Sequence, residues 1–221
     1  MIALDVYGTL VDPAGMASRL GPAFGEHAQS AAQLWREKQL EYTFRRALMR
    51  RYEDFDLCTR EALRYVSASL GVSLQEDEEQ ALLEAYLHLP PFPDVAPGLA
   101  ALGRLGHTLV ALTNGTELSV RRLLENAGLT DYLETILSVD AIATFKPDPA
   151  VYALLRTFGG DRAHGAWLVS GNPFDVIGAK AYGLKAAWLR RDPRRIFDPW
   201  EFSPDLTVGN LEELARELGR M

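Results

Sequence analysis

The chain has 221 residues, 48% of them hydrophobic and 24% charged, which suits one soluble core domain with a sizeable insertion. A formal net charge of −7 argues against nucleic acid or an anionic membrane as the main partner. One cysteine, Cys58, excludes an intrachain disulfide and suits a reducing cytoplasm, and neither a signal peptide nor a membrane span is visible.

The first element is Ile2-Ala3-Leu4-Asp5-Val6-Tyr7-Gly8-Thr9-Leu10, a short apolar run that ends in an aspartate and a Gly-Thr turn. Such runs read as buried parallel strands, and a carboxylate at the carboxyl end of one lies where open α/β sheets bind ligands. A turn-capping aspartate is the plainer alternative, and later segments decide between the two.

Pro13, Gly15 and Gly21-Pro22 then break the pattern. From Ser30 to about Tyr52 the text is helical and charged. A second helix carries Ala62, Leu63, Val66 and Leu70, with Gly71 just past its end. A third runs through Ala81, Leu82, Ala85 and Tyr86 and is stopped by Pro90-Pro91. Cys58, in a helical pattern with no histidine nearby, reads as a small half-buried side chain. With no strand between residues 14 and 92, this block predicts an inserted helical cap.

After Pro93, strands and helices alternate. A helix from Pro97 to Leu105 precedes a buried strand, His107 to Leu112, that ends in Thr113-Asn114-Gly115. Val120, Leu123, Leu124 and Ala127 form a helical stripe closed by Gly128, and Ile136 to Val139 is short and extended. Asp148 and Pro149 open the next helix as N-cap and first-turn proline. Trp167 to Val169 is a strand that ends in Ser170-Gly171-Asn172-Pro173-Phe174-Asp175. A helix to about Tyr182, strands at Lys185 to Leu189 and Leu206 to Val208, and a closing helix complete the chain. This alternation predicts an α/β fold: a Rossmann-like, doubly wound parallel sheet over 1–13 and 93–221, with the cap at 14–92.

Three strands thus end in polar clusters at one sheet edge: Asp5, Thr113-Asn114, and Ser170 to Asp175. Lys146, just before a helix start, is placed to reach the same edge. Arg45-Arg46 with Arg50-Arg51, and Arg190-Arg191 with Arg194-Arg195, read as solvated faces. His27, His88, His107 and His164 are dispersed, without metal-ligand spacing.

DVYGTL, LTNG, KPDPAVY and SGNPFD resemble, in order and spacing, the four motifs of the haloacid dehalogenase superfamily across essentially the whole chain. Two departures separate the chain from that superfamily's Mg²⁺-dependent phosphatases. Tyr7 stands where they carry a second aspartate as general acid, and Ser170 where they begin the acidic pair that holds Mg²⁺. The cap string Leu34-Trp35-Arg36-Glu37-Lys38-Gln39-Leu40-Glu41-Tyr42-Thr43 closely resembles the halide-binding helix of the L-2-haloacid dehalogenase family.

The resemblance implies hydrolysis of (S)-2-haloacids to (R)-2-hydroxyacids and halide, with no cofactor and no metal. Asp5 is the nucleophile, forming an aspartyl ester, and Thr9 orients it. Arg36 stabilises the departing halide. Thr113 and Asn114, with backbone N–H groups near Tyr7 and Gly8, hold the substrate carboxylate. Lys146 keeps Asp5 ionised. Asp175 is the base for ester hydrolysis, with Ser170 and Asn172 positioning water or Lys146. Tyr7, Leu40, Phe55 and Phe174 line an apolar pocket, and Tyr152 lies nearby. Glu37, Thr113 and Phe174 stand where relatives commonly have Gln, Ser and Trp, and are expected to alter substrate range or rate, Glu37 by adding negative charge beside Arg36. A cytoplasmic homodimer is expected. The alternative is a Mg²⁺-dependent phosphatase on the same fold.

Overall fold

A computed structural model describes residues 1–221. Six strands form one wholly parallel sheet: β1 (Ile2–Leu4), β2 (Leu109–Thr113), β3 (Thr135–Ser138), β4 (Trp167–Ser170), β5 (Lys185–Leu189) and β6 (Leu206–Val208). Their order is β3-β2-β1-β4-β5-β6, so the winding reverses at β1, the topological switch point where such sheets place ligands. β1 is central because Ile2, Ala3 and Leu4 are apolar on both faces and wholly buried. Leu4 pairs with Ala111 on one side and Val169 on the other.

The crossover helices are α5 (Val95–Arg104), α6 (Glu117–Asn126), α7 (Pro149–Gly159) and α8 (Pro173–Tyr182), with α9 (Leu211–Leu218) closing the chain. Right-handed crossovers put α5 and α6 on one face and α7 and α8 on the other. Their starts are locally encoded: Thr116, Asp148 and Asn210 each accept a hydrogen bond from the first turn that follows, and Pro149 and Pro173 occupy first-turn positions.

Between β1 and α5 lie four helices and no strand: α1 (Met16–Phe24), α2 (Ala28–Met49), α3 (Phe55–Ser69) and α4 (Glu76–Tyr86). The connections into and out of this layer run side by side. Phe92 N–H donates to Leu10 O (3.1 Å), and Asp12 N–H donates to Pro90 O (3.0 Å).

Four expectations need correction. Gly21-Pro22 does not break the chain but lies inside α1, whose Met16, Leu20 and Phe24 recur every four residues and are buried together. Cys58 is fully buried, and that burial pushes its thiol up to about 12. The second arginine cluster is not simply solvated, because Arg191 and Arg195 turn inward onto backbone carbonyls. In the first cluster Arg46 is mostly covered and pairs with Glu61 (2.7 Å).

Candidate active site

Asp5 stands one residue past the end of β1, where its N–H still continues the ladder to Val169 O (3.0 Å). The chain then folds over itself: the N–H groups of Thr9, Leu10 and Val11 all point at Val6 O. Gly8 makes this possible with φ of +83°, and Gly171 lets the fourth-motif loop approach, since a Cβ there would lie 2.2 Å from Gly8 O.

Four donors converge on the Asp5 carboxylate, which is 6% exposed. Thr9 Oγ1 (2.7 Å), Asn172 Nδ2 (2.8 Å) and Ser170 Oγ (3.3 Å) donate to Oδ2, and Lys146 Nζ (2.9 Å) donates to Oδ1. Lys146, 1% exposed, also donates to Asp175 Oδ2 (2.8 Å). Tyr152 donates its hydroxyl to Asp175 Oδ1 (3.0 Å), and Asn114 Oδ1 accepts from the Lys146 N–H (3.0 Å).

Burial alone raises a carboxyl pKa, but at Asp5 the charge of Lys146, the Thr9 and Lys146 hydrogen bonds and the more distant Arg36 outweigh it and hold the group low. Asp175 goes the other way: burial dominates, and the negative charge of Asp5 adds to it against the pull of Lys146. Burial likewise lowers Lys146, yet Asp175 and Asp5 more than offset it, so the ammonium stays charged. Burial keeps the Tyr7 phenol neutral.

The opposite wall comes from α2 and α3. Arg36 donates through Nη1 to Gln39 Oε1 (2.6 Å) and through Nη2 to Tyr7 O (3.3 Å). Gln39 is itself buried, donating to Thr59 Oγ1 (2.6 Å) and accepting from the Tyr86 hydroxyl (3.1 Å). Arg36 makes no ion pair with any carboxylate, so its charge faces the cavity unspent. A small cavity between the two walls is lined by Asp5, Tyr7, Arg36, Leu40, Phe55, Asn114, Lys146, Asn172 and Phe174.

Thr9, Ser170, Tyr152 and Asp175 stand behind this lining and act on Asp5 and Lys146. Thr113 reaches neither the cavity nor Asp5; its hydroxyl oxygen accepts from the Gly115 N–H (3.1 Å). Gly8 N–H is also engaged, by Val11 O (2.8 Å). Glu37 points outward, is exposed and accepts from Gln33, so it adds no charge at the guanidinium face. Gln39, which holds Arg36, and Thr59 and Tyr86, which hold Gln39, are not among the residues the sequence assigns to the site. Gln39 carried a signal, lying three residues from Arg36 and so on the same helix face.

The donor set does not fit Mg²⁺. No three His, Cys, Asp or Glu residues are grouped to hold an ion, and an ammonium already sits between the two carboxylates a hard cation would need.

The model of the haloacid dehalogenase-like hydrolases matches residues 1–183. The chain is 38% identical to the (S)-2-haloacid dehalogenase of Pseudomonas sp. (strain YL), over 97% of this chain and 92% of that protein. It is 36% identical to haloacetate dehalogenase H-2 of Moraxella sp. (strain B), over 97% and 95%. Among solved structures, L-2-haloacid dehalogenase from Xanthobacter autotrophicus with chloropropionic acid covalently bound superposes with a TM-score of 0.94. It is 34% identical, over 100% of this chain and 98% of that one.

Proposed function

The chain belongs to the haloacid dehalogenase-like hydrolases, and on that premise we propose that it hydrolyses (S)-2-haloacids to (R)-2-hydroxyacids and halide through an aspartyl ester on Asp5. One observation carries this reading: an ionised carboxylate and a guanidinium in no ion pair face each other across one small cavity.

The displacement follows from that geometry. An Asp5 oxygen attacks C2 from the face opposite the halogen; the new C–O bond forms as the C–halogen bond breaks. The halide leaves with the electron pair, and the centre inverts. Arg36 stabilises the anion as it develops. No acid is needed, because halide leaves unprotonated, and Tyr7 at the position of the phosphatases' acid is consistent with that. Asn114 spends its carbonyl oxygen on Lys146 N–H, so its amide nitrogen is the end left to hold the substrate carboxylate, together with the Tyr7 N–H.

Water then adds to the ester carbonyl at Asp5. Asp175 takes a proton from it, and that proton leaves with the hydroxyacid. The water's oxygen stays in Asp5, its second proton is released to solvent so that Asp5 returns as the carboxylate, and the product keeps the oxygen it took from Asp5. A carboxyl raised by burial and by Asp5 is suited to the base role. Leu40, Phe55 and Phe174 enclose the substrate's alkyl group.

In this reading residues 14–92 are the cap, and 1–13 with 93–221 the catalytic core. The enzyme is a cytoplasmic homodimer. Leu48 (86% exposed) and Met49, at the end of α2, supply apolar surface for a second copy. No helix is long and apolar enough to cross a membrane.

Halide release tests the reading. Chloride from L-2-chloropropionate, none from the D enantiomer, and no loss with EDTA is the expected result. No chloride from either enantiomer, with Mg²⁺-dependent phosphate release from small esters, would replace it with the phosphatase.

A further inference from the structure

Arg191, just after β5, is 15% exposed on its side chain. Its Nη1 bonds Asp94 Oδ1 (2.6 Å) and its Nη2 donates to Thr9 O (2.6 Å). The guanidinium lies 3.8 Å from the centre of the Phe92 ring. Asp94 is fixed in turn, since its second oxygen accepts from the Leu211 N–H at the start of α9 (2.8 Å).

Thr9 is the residue these contacts reach. Its hydroxyl donates to Asp5 Oδ2 and accepts from the Gly171 N–H (2.8 Å). Arg195 in turn donates to Gly171 O (3.1 Å). The turn after β1 is therefore gripped from outside by Arg191, and the Gly171 loop beside it by Arg195, while the inner side of the turn holds the carboxylate.

We infer that Arg191 is a positioning residue for the Asp5 displacement: its grip on the Thr9 carbonyl holds the Thr9 hydroxyl, and through it Asp5, in the attacking orientation. This rests on the dehalogenase reading above. In-line displacement tolerates little error, and a misplacement of about 1 Å costs roughly 100-fold in rate. The planar fork of arginine serves a carboxylate and a carbonyl at once, which lysine cannot do from the same place. Arg191 does not line the cavity and takes no part in bond making.

A double-mutant cycle read by single-turnover halide release, with enzyme in excess over L-2-chloropropionate, tests this. Arg191→Met is expected to slow release about 10- to 100-fold, while the KM measured at steady state stays within about threefold. Thr9→Val is expected to slow release comparably. Because both act on one contact chain, the double variant should be no slower than the slower single variant, within about threefold. Arg191→Lys should recover part of the rate, and it carries the cycle if Arg191→Met does not fold.

Release at the wild-type rate from folded Arg191→Met overturns the inference, as do losses that multiply in the double variant. A lowered Tm with unchanged release rate overturns it as well. Halide release by the wild type in the same assay leaves the dehalogenase reading standing in each of these cases. No halide from the wild type overturns both.

Discussion

On the core side of the cavity, the polar contacts of Asp5 come mostly from far along the chain. Lys146 meets it across 141 positions, Ser170 across 165 and Asn172 across 167; only Thr9, four residues on, is local. On the helical side the first partner of Arg36 is Gln39, three residues away. The core side is a buried cluster whose opposite charges are paired, two carboxylates on one ammonium. The helical side offers a part-buried guanidinium that bonds only neutral oxygens. One half is built so that its charges are consumed internally, apart from the single nucleophile. The other keeps a charge free for an arriving anion.

The difference can be broken most severely at Lys146. Lys146→Met strands Asp5 and Asp175 as unpaired buried carboxyls and should cost about 3–5 kcal/mol of stability, measured by urea unfolding. The acid limb of any surviving halide release should move to higher pH, because the cation that opposed the burial of Asp5 is gone. Unchanged stability would show that the pair is solvated.

Arg36→Gln should behave in the opposite way. The side chain is part-buried and in no ion pair, so stability should change little, while kcat falls about 10²- to 10³-fold through lost stabilisation of the halide. A large stability loss with little change in kcat would reverse the division of labour between the two halves.

The two carboxyls differ, and pH separates them. Asp5 is held low, so it stays ionised, and single-turnover halide release should persist, as pH falls through the ordinary carboxylate range near about 4. Asp175 is raised, so it is protonated first on acidification, and steady-state turnover should fail at higher pH than halide release does. Coincident acid limbs would mean that one group controls both steps.

The smallest effect lies at the rim, where Phe174 meets Phe44 of α2 edge to face, with 5.2 Å between ring centres. Phe174→Trp should narrow the range of accepted chain lengths without changing the reaction. Identical profiles for 2-chloropropionate and 2-chlorobutyrate would remove Phe174 from the specificity wall.

Sequence reading succeeded where topology does the assembling. Buried parallel strands are short apolar runs, and their carboxyl ends share one edge, so Asp5, Asn114, Ser170 and Asn172 were legible as one site before any distance was known. It failed where a local partner absorbs a side chain, as Gly115 N–H absorbs the Thr113 hydroxyl. Glu37 was misplaced although helix geometry puts adjacent residues on different faces. Helix α1 was hidden because Pro22 reads as a breaker when its buried partners are not yet known. Arg191 left no trace at all: one of its partners is a backbone carbonyl 182 positions away, and a carbonyl has no residue signature.

The most direct test follows one oxygen atom. In heavy-oxygen water, with enzyme in excess and L-2-chloropropionate limiting, a single turnover should yield unlabelled lactate and place the label in the Asp5 carboxylate, read by peptide mass spectrometry. Labelled lactate in that first turnover, with Asp5 unlabelled, would mean that water attacks the substrate carbon directly, contradicting Asp5 as nucleophile.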